Sequence, residues 1–413
     1  MIIEKRIKDF EKLGFGMFVH FGLYSLAKKG EWIWHHEGAS VEEYSKYAKD
    51  FNPKPDWAKR LVATAKAAGC KYITLTSRHH EGFSLYDTCG LNDFDAPHSA
   101  AGRDLVREFV DACNEKGIKP FFYHTLLDWS VPSYKENFKE YLVYLRKSVE
   151  ILCKNYGKIG GIWFDGTWDK PDADWEEDAL YSLIRSYQPD AMIINNTGLL
   201  ARGALGHIEL DSVTFERGKP GEINLEDSPK YIASEMCQVF ADHWGYAERD
   251  FHFKSLVDII EDLCVCRRYG ANLLLNVGPM PDGYVRPLDE AMLLSLGEWV
   301  KIQEEALYLP RPTNVVIEGN EKDFVLKYEN VYYLFCHDLP MIADENVALK
   351  FEGDRAFCDT ISIKEKVLSA KWLDNDKKIA FEQNGETLTI PLESYSYGTN
   401  LVVRIAKIET QKD

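Results

Sequence analysis

Short apolar runs alternate with longer amphipathic stretches over the first three quarters of the chain. Eight such runs span residues 15–21, 72–76, 120–124, 160–165, 192–196, 212–215, 231–239 and 272–277. Helical periodicity marks the stretches at residues 56–68, 103–116, 134–156, 175–187 and 256–269. Strands that alternate with helices predict a parallel sheet, and eight repeats over this length predict a (β/α)8 TIM-like barrel. The intervals after the fifth and sixth runs are only weakly helical, so we expect an irregular barrel there.

The pattern changes at Pro310 and Pro312, which end a helical segment and begin a linker. Beyond them the chain favours short strands, at residues 330–336, 386–392 and 400–405, with turns at 374–375 and 384–385. About one hundred residues of this kind are typical of a small β-sandwich. We therefore predict a catalytic barrel over residues 1–309 and a C-terminal β-sandwich domain over residues 310–413.

Charge and cysteine content narrow the class of protein. The formal net charge of −17 argues against a nucleic-acid partner and an anionic membrane surface. The nine cysteines have no regular spacing, and several lie in apolar segments that predict buried thiols. Because the N-terminus lacks an apolar signal core, we expect a cytoplasmic protein. A secreted form stays possible if a signal preceded this sequence, and a homo-oligomer is also possible.

Polar and aromatic residues stand at the ends of many of the apolar runs. Asp165 ends the fourth run, two residues after Trp163, and Gly166 follows it. The carboxyl ends of barrel strands meet at one mouth, where barrel enzymes keep their catalytic groups. An Asp at a strand end can also simply cap the next turn. Other candidates near run ends are His20, His79, His80, Tyr123, His124, Glu216 and Glu235.

A metal site is the first alternative for the histidines. Together with Asp165 they would suit zinc by residue type. However, adjacent His79 and His80 would point to opposite sides of an extended chain. The sequence also has no His-x-His or His-Glu-x-x-His motif. We therefore expect no metal and no cofactor, and neutral imidazoles that bind sugar hydroxyls instead.

Six sequence blocks lie in order along the first domain, at residues 15–25, 30–32, 79–83, 163–165, 243–246 and 272–279. They read Phe-Gly-Met-Phe-Val-His-Phe-Gly-Leu-Tyr-Ser, Gly-Glu-Trp, His-His-Glu-Gly-Phe, Trp-Phe-Asp, His-Trp-Gly-Tyr and Asn-Leu-Leu-Leu-Asn-Val-Gly-Pro. In this order they resemble the family of retaining α-L-fucosidases. The resemblance covers essentially the whole first domain, and the family's barrel with a small β-domain matches the predicted architecture.

The resemblance implies a role for each candidate residue. Asp165 matches the nucleophile that attacks the anomeric carbon, and Trp163 matches the aromatic residue beside it. Tyr123 or His124 falls where the family often has a pocket tyrosine, and Trp244 matches the apolar side that receives the fucose methyl group. The residues that match those holding the fucose ring and its hydroxyls are His20, Glu31, Trp32, His79 and His80.

The acid/base has two candidates. Hydrolysis with retention needs two carboxyl groups about 5 to 5.5 Å apart, one as nucleophile and one as proton donor. The donor's pKa must be raised by burial or by a like charge. Glu235 is favoured because it resembles a block in which a tryptophan normally precedes the acid, although Ser234 stands there in this chain. Glu216 resembles the donor region of a second branch of the family and is the alternative.

The resemblance implies a retaining exo-α-L-fucosidase that removes terminal α-L-fucose from oligosaccharides or glycoconjugates. Three other functions stay open at this point. The barrel could bind carbohydrate without catalysis, act as a metal-dependent hydrolase, or hydrolyse a glycoside of a related sugar such as galactose.

Overall fold

A computed structural model describes residues 3–199, 201–226, 228–342 and 358–412. Its first part is a closed barrel of eight parallel strands in sequence order. The barrel strands are β1 (Phe15–Val19), β2 (Tyr72–Arg78), β3 (Lys119–Thr125), β4 (Gly161–Asp165), β5 (Met192–Asn195), β6 (Ser212–Glu216), β7 (Ala233–Val239) and β8 (Asn272–Val277). The predicted barrel is confirmed, and each predicted run contains one strand to within a few residues.

The helices follow the predicted periodicity with one division. They are α1 (Lys5–Glu11), α2 (Tyr24–Ala27), α3 (Ile33–Glu37), α4 (Val41–Tyr44), α5 (Trp57–Ala67), α6 (Leu105–Lys116), α7 (Ser133–Glu136), α8 (Phe138–Asn155), α9 (Glu177–Tyr187), α10 (Leu256–Arg268) and α11 (Pro287–Leu307). Short 3-10 turns lie at Ser45–Lys49 and Thr167–Asp169. The predicted helix at 134–156 divides at Asn137, whose side chain accepts a hydrogen bond from the Glu140 amide and begins α8.

The described residues between β5 and β6, and between β6 and β7, hold no helix. This agrees with the weak periodicity of those intervals. None of the described helices combines the length and the apolar character that a bilayer span requires.

The interior of the barrel is filled by large aromatic side chains. Phe18, Tyr72, Phe121 and Trp163 all belong to one buried cluster. Their bulk is matched by glycine on a neighbouring strand, since a Cβ atom on Gly16 would lie 2.4 Å from the Tyr72 ring. Both faces of the strands are buried, which explains why the runs are almost continuously apolar.

The C-terminal strands form two antiparallel sheets. The strands are β9 (Arg311–Pro312), β10 (Ile317–Glu318), β11 (Phe324–Tyr328), β12 (Val331–His337), β13 (Cys358–Ser362), β14 (Val367–Trp372), β15 (Glu382–Asn384), β16 (Thr387–Pro391) and β17 (Val403–Thr410). One sheet has the order β10-β13-β16-β15 and the other β14-β17-β12-β11-β9. Residues of both sheets share a buried core that includes Leu334, Trp372, Leu388 and Ile408.

The chain divides into two compact units. One comprises Met1–Lys254 and Ala271–Leu294, and the other Ser255–Gly270 and Ser295–Asp413. The second unit therefore contains α10 and the end of α11 as well as the sheets. The boundary at residue 309 stays a prediction.

Candidate active site

A pocket lies at the carboxyl ends of the barrel strands. Its lining residues come from nearly every strand end: Phe18, His20, Trp32, His79, His80, Tyr123, Trp163, Asp165, Trp168, Asn196, Leu199, Glu216, Cys237 and Trp244. Nine of the twelve candidates named from the sequence line this pocket: His20, Trp32, His79, His80, Tyr123, Trp163, Asp165, Glu216 and Trp244. Glu31, His124 and Glu235 do not line it.

Asp165 is the last residue of β4 and is surrounded by hydrogen-bond donors. Its Oδ1 accepts from Trp168 Nε1 at 3.0 Å and from Asn196 Nδ2 at 3.2 Å. Its Oδ2 accepts from the Tyr123 hydroxyl at 3.1 Å and lies 3.4 Å from His80 Nε2. Both carboxylate oxygens are thus held in fixed directions at the pocket wall.

These contacts decide the ionisation of Asp165. Burial alone would raise its pKa, but hydrogen bonding and charge from His80, together with the hydrogen bonds from Trp168 and Asn196, outweigh burial. The pKa of Asp165 is therefore lowered from its usual value of 3.8. At neutral pH the group is a carboxylate.

Glu216 is the last residue of β6 and shares a donor with Asp165. Asn196 Nδ2 lies 2.7 Å from Glu216 Oε2 and 3.2 Å from Asp165 Oδ1. Two oxygens that accept from the same nitrogen at these distances are at most about 6 Å apart. The pKa of Glu216 is raised above 4.5 by burial and by the negative charge of Asp165, although the Asn196 hydrogen bond opposes the change.

Glu235, the favoured acid/base in the sequence, lies deeper in the barrel. On β7 it pairs in register with Thr214, whereas Glu216 pairs with Cys237, two residues closer to the pocket mouth. Its Oε1 accepts from Trp163 Nε1 at 2.9 Å and its Oε2 from the Tyr72 hydroxyl. Burial raises the pKa of Glu235 to about 7. The Trp163 ring lines the pocket, and Glu235 supports that ring from within the core.

His20 is held in one tautomer by Asn276. Asn276 Nδ2 donates to the Trp244 carbonyl, so its Oδ1 faces His20 Nδ1 at 2.6 Å and must accept from it. This leaves His20 Nε2 as a hydrogen-bond acceptor. Burial lowers the pKa of His20 to about 3, so its ring is neutral at physiological pH.

His79 and His80 both line the pocket, which corrects the expectation that only one of them could face it. The expectation assumed an extended chain, but β2 ends at Arg78 and the two rings lie 4.2 Å apart. Thr125 Oγ1 donates to the Leu127 carbonyl and thereby accepts from His80 Nδ1 at 2.7 Å. Burial holds the pKa of His79 well below its usual value.

His124 and Glu31 lie outside the pocket lining and contact the residues around it. His124 points away from the barrel axis, where its ring nitrogens contact Ser148 Oγ at 2.7 Å and the Thr125 carbonyl at 2.6 Å. Tyr123 is therefore the pocket residue of this pair, because alternate residues of a strand face opposite sides. Glu31 is buried and accepts from the Gly245 amide at 2.8 Å, next to Trp244.

Trp168 and Asn196 are site residues that the sequence analysis did not assign. Trp168 returns to the pocket because Gly166 adopts φ +114°, a left-handed turn that suits glycine. In the sequence, a tryptophan three residues after the candidate nucleophile could have indicated this role. Asn196 directly follows β5. In the sequence, a polar residue at the end of the fifth apolar run could have indicated it.

The potential metal ligands in the described residues do not converge at the pocket. The group of three or more such side chains whose ligand atoms lie within 4.8 Å of one another is Asp323, Cys336 and Asp359, on the C-terminal strands. His20 instead contacts the Asn276 amide group, and His80 contacts the Thr125 hydroxyl and the Asp165 carboxylate.

Comparisons with known proteins identify the family of the chain. A family model described as Alpha-L-fucosidase matches residues 4–305. The tissue alpha-L-fucosidase of Rattus norvegicus is 31% identical over 364 residues, 79% of this chain and 76% of that protein. Its Homo sapiens counterpart is 30% identical, over 79% of this chain and 75% of that protein.

Solved structures share the fold of the whole chain. Alpha-L-fucosidase isoenzyme 1 from Paenibacillus thiaminolyticus is 26% identical, with a TM-score of 0.81 over 98% of this chain and 99% of that one. A Bacteroides thetaiotaomicron alpha-L-fucosidase, trapped as a covalent intermediate with 2-fluoro-fucosyl fluoride, has a TM-score of 0.82 over 99% of this chain and 97% of that one. Its identity is 21%, so this likeness shows the fold alone.

Proposed function

The chain belongs to the α-L-fucosidase family of glycoside hydrolases, and on that premise we propose that it is a retaining exo-α-L-fucosidase. Its substrate is a terminal α-L-fucose on an oligosaccharide or glycoconjugate. The observation that carries the proposed mechanism is the shared hydrogen bond of Asp165 and Glu216 to Asn196 Nδ2. It keeps two carboxyl groups beside one pocket, one with a lowered pKa and one with a raised pKa.

In the first step, a carboxylate oxygen of Asp165 attacks the anomeric carbon of fucose. The bond from that carbon to the leaving-group oxygen breaks, and Glu216 transfers its proton to that oxygen. The product is a β-L-fucosyl ester of Asp165 and a free alcohol. The lowered pKa of Asp165 and the raised pKa of Glu216 support these two roles.

In the second step, the now ionised Glu216 takes a proton from water, and the water oxygen attacks the anomeric carbon. The ester bond breaks, Asp165 leaves as a carboxylate, and fucose is released with its α configuration retained. The hydrogen bonds from Tyr123 and Trp168 stabilise the departing carboxylate.

Glu216 is preferred to Glu235 as the acid/base because of its position. The side chain of Glu235 is enclosed by Tyr72 and Trp163, with both oxygens occupied and 1% of the residue exposed. A general acid must reach the leaving-group oxygen within hydrogen-bond distance. Glu216 lines the pocket, where a leaving group could approach it, and Glu235 does not, although the pKa of Glu235 is also raised.

The neutral imidazoles suit the hydroxyl groups of fucose. His20 presents Nε2 as an acceptor, and His79 Nδ1 is buried without a hydrogen-bond partner in the described residues. A sugar hydroxyl can both donate and accept, so it can satisfy either ring. Trp32 and Trp244 supply flat apolar surface for the ring and methyl group.

The stereochemical proposal is tested by following the first-formed anomer of fucose by NMR with an aryl α-L-fucoside. The α anomer is expected first, and initial appearance of the β anomer would overturn the retaining mechanism. Absence of turnover on every fucoside would overturn the enzyme assignment.

The residue roles are tested by substitution and chemical rescue. Asp165→Ala is expected to abolish turnover while the thermal unfolding temperature stays close to that of the wild type. Azide added to Glu216→Gly is expected to restore cleavage of an activated fucoside with α-L-fucosyl azide as product, because azide replaces water in the second step. Glu235→Gly serves as the matched control, and rescue there instead of in Glu216→Gly would move the acid/base to Glu235.

A further inference from the structure

The backbone of Arg217 is strained at the point where β6 reaches the pocket. Arg217 directly follows Glu216, the last residue of β6, and adopts φ +48°. This left-handed conformation is uncommon for residues with a Cβ atom, because that atom crowds the following carbonyl oxygen. The Arg217 amide donates to the Cys237 carbonyl at 2.9 Å, which helps to hold the turn in place. Strain that persists beside a catalytic group points to a function for the side chain it presents.

The Arg217 side chain contacts the loop after β7, the neighbouring strand of the barrel. Its guanidinium carbon lies 5.0 Å from the centroid of the Trp244 ring, a cation–π contact. Its Nη2 donates to the Asp242 carbonyl at 2.7 Å. The guanidinium group therefore joins the turn after Glu216 to the β7 loop at two points.

Trp244 connects this guanidinium group to the pocket. Its ring lies 5.1 Å from the His20 ring and 5.9 Å from the Phe18 ring, measured between centroids. Asn276 donates to the Trp244 carbonyl at 2.7 Å and faces His20 Nδ1 with its other side-chain atom, Oδ1. Trp244 lies outside the regular helices and strands, so its ring depends on contacts such as that with Arg217.

Arg217 also acts on the acid/base through its charge. Burial raises the pKa of Glu216, and the positive charge of Arg217 opposes that rise, as the Asn196 hydrogen bond does. The charged and titratable groups that interact with Glu216 are Asp165, Arg217, Glu31 and Cys237. Arg217 is the cation of this set. Its removal is therefore expected to raise the pKa of Glu216 further.

We propose that Arg217 is a positioning residue of the active site, which holds the Trp244 ring as a wall of the fucose pocket from a strained turn beside Glu216. Arg217 is exposed and is not a residue of the pocket lining, so it acts through Trp244 and not by contact with fucose. The inference rests on the proposed function and adds to it a residue that the reaction does not itself involve.

The first test separates the side chain of Arg217 from its backbone. Arg217→Gly removes the guanidinium group, and glycine adopts a positive φ without steric cost. The unfolding temperature is therefore expected to stay close to that of the wild type. KM for an aryl α-L-fucoside is expected to rise about two- to fivefold, the loss of one exposed cation–π contact. At the optimum pH kcat is expected to change less, because the pocket wall contacts fucose in the ground and transition states alike.

The basic limb of the kcat/KM profile is a second readout, which a merely structural role would not move. Arg217→Gly is expected to shift this limb to higher pH, because Glu216 then keeps its proton to higher pH. Arg217→Lys keeps the positive charge but not the planar guanidinium group. Its basic limb is expected to stay near the wild-type pH, and its KM to lie between those of the wild type and Arg217→Gly.

Lys219→Ala is the matched control. Lys219 is an exposed cation two residues further along the same segment, so this variant removes an equal charge. Its KM and its basic limb are expected to stay at the wild-type values. If Arg217→Gly does not fold, Arg217→Asn carries the same comparison, since asparagine also tolerates the left-handed conformation.

The failure of this inference is distinguishable from that of the proposed function. A wild-type KM and an unmoved basic limb in folded Arg217→Gly would overturn the positioning role and leave the fucosidase proposal intact. Equal changes in Arg217→Gly and Lys219→Ala would also overturn it, because net charge and not the contact with Trp244 would then be responsible. If the wild-type protein cleaves no fucoside, the proposed function fails, and the positioning role fails with it.

Discussion

Asp165 and Glu216 accept hydrogen bonds from the same amide nitrogen, that of Asn196, at 3.2 and 2.7 Å. The shared donor brings two carboxyl groups from β4 and β6 to within about 6 Å, close to the separation that a double displacement needs. It also softens their mutual repulsion, since one N–H group serves each oxygen. The uncharged side chain of Asn196 therefore links the protonation of the two carboxyl groups.

Asn196→Ala is expected to raise the pKa of both carboxyl groups. The Asn196 hydrogen bond lowers the pKa of Asp165 and opposes the rise in the pKa of Glu216, so its removal shifts both upward. We expect both limbs of the kcat/KM profile to move to higher pH. The maximal kcat/KM is expected to fall about ten- to a hundredfold, the usual range for a lost hydrogen bond to a charged group.

The neighbouring Asn195→Ala provides the matched control for this variant. The Asn195 side chain points away from the pocket and donates to the Tyr181 hydroxyl at 3.2 Å. Both limbs are expected to stay at their wild-type pH. If the limbs also stay at their wild-type pH in Asn196→Ala, the shared hydrogen bonds of Asn196 do not set the ionisation of Asp165 and Glu216.

The wild-type pH profile follows from the same two pKa shifts. Activity requires ionised Asp165, whose pKa is lowered from 3.8, and protonated Glu216, whose pKa is raised from 4.5. The acidic limb therefore lies below pH 3.8 and the basic limb above pH 4.5, with the maximum between them. With α-L-fucosyl fluoride as substrate, whose leaving group needs no proton, Glu216→Gln is expected to lose the basic limb of the pH profile. A basic limb that persists in that variant would assign it to another group.

The strand ends could be predicted from sequence because strand length and polarity are local properties. Asp165, His20 and Glu216 each stand where an apolar run stops, and the parallel barrel brings such ends together. The sequence did not determine depth along a strand. Glu235 and Cys237 face the same side of β7, but their two-residue difference decides which of them lies at the pocket.

Loop geometry was the second property that the sequence did not determine. The orientation of His79 and His80 depends on β2 ending at Arg78, which the apolar pattern did not define. Trp168 depends on the positive φ of Gly166, where an added Cβ atom would lie 3.0 Å from the Leu127 amide nitrogen. A strand pattern has no information about the turns that follow it.

Glu235 is expected to make stability depend on pH. Its pKa is about 7 in the folded protein and 4.5 for an ordinary glutamate, so the folded state holds this proton more tightly. The contribution of Glu235 to stability is full below pH 4.5 and is lost as pH rises to 7, by about 3 kcal/mol. Glu235→Gln cannot ionise and keeps an oxygen for Trp163. Its unfolding temperature relative to the wild type is expected to rise between these two pH values and then to stay level.

The difference in unfolding temperature between Glu235→Gln and the wild type removes the effect of other titrating groups. Burial raises the pKa of Glu81 to about 8, but Glu81 is present in both proteins and cancels. A difference in unfolding temperature that does not change with pH would show that Glu235 keeps an ordinary pKa. The same variant is expected to retain more activity on unactivated fucosides than Glu216→Gln.

The buried pair Arg78 and Asp128 is expected to dominate the stability of the loop that carries Trp129. The side chains are 0% and 1% exposed, so Asp128→Asn would leave a guanidinium charge buried without its counterion. The expected cost is about 3 to 5 kcal/mol, measured as a lowered midpoint of chemical unfolding. Asp190→Asn removes the partner of Lys158 at 2.8 Å, but those side chains are 69% and 76% exposed, so the midpoint is expected to change little. Equal losses in the two variants would mean that water reaches Arg78 and that the pair does not fix the loop.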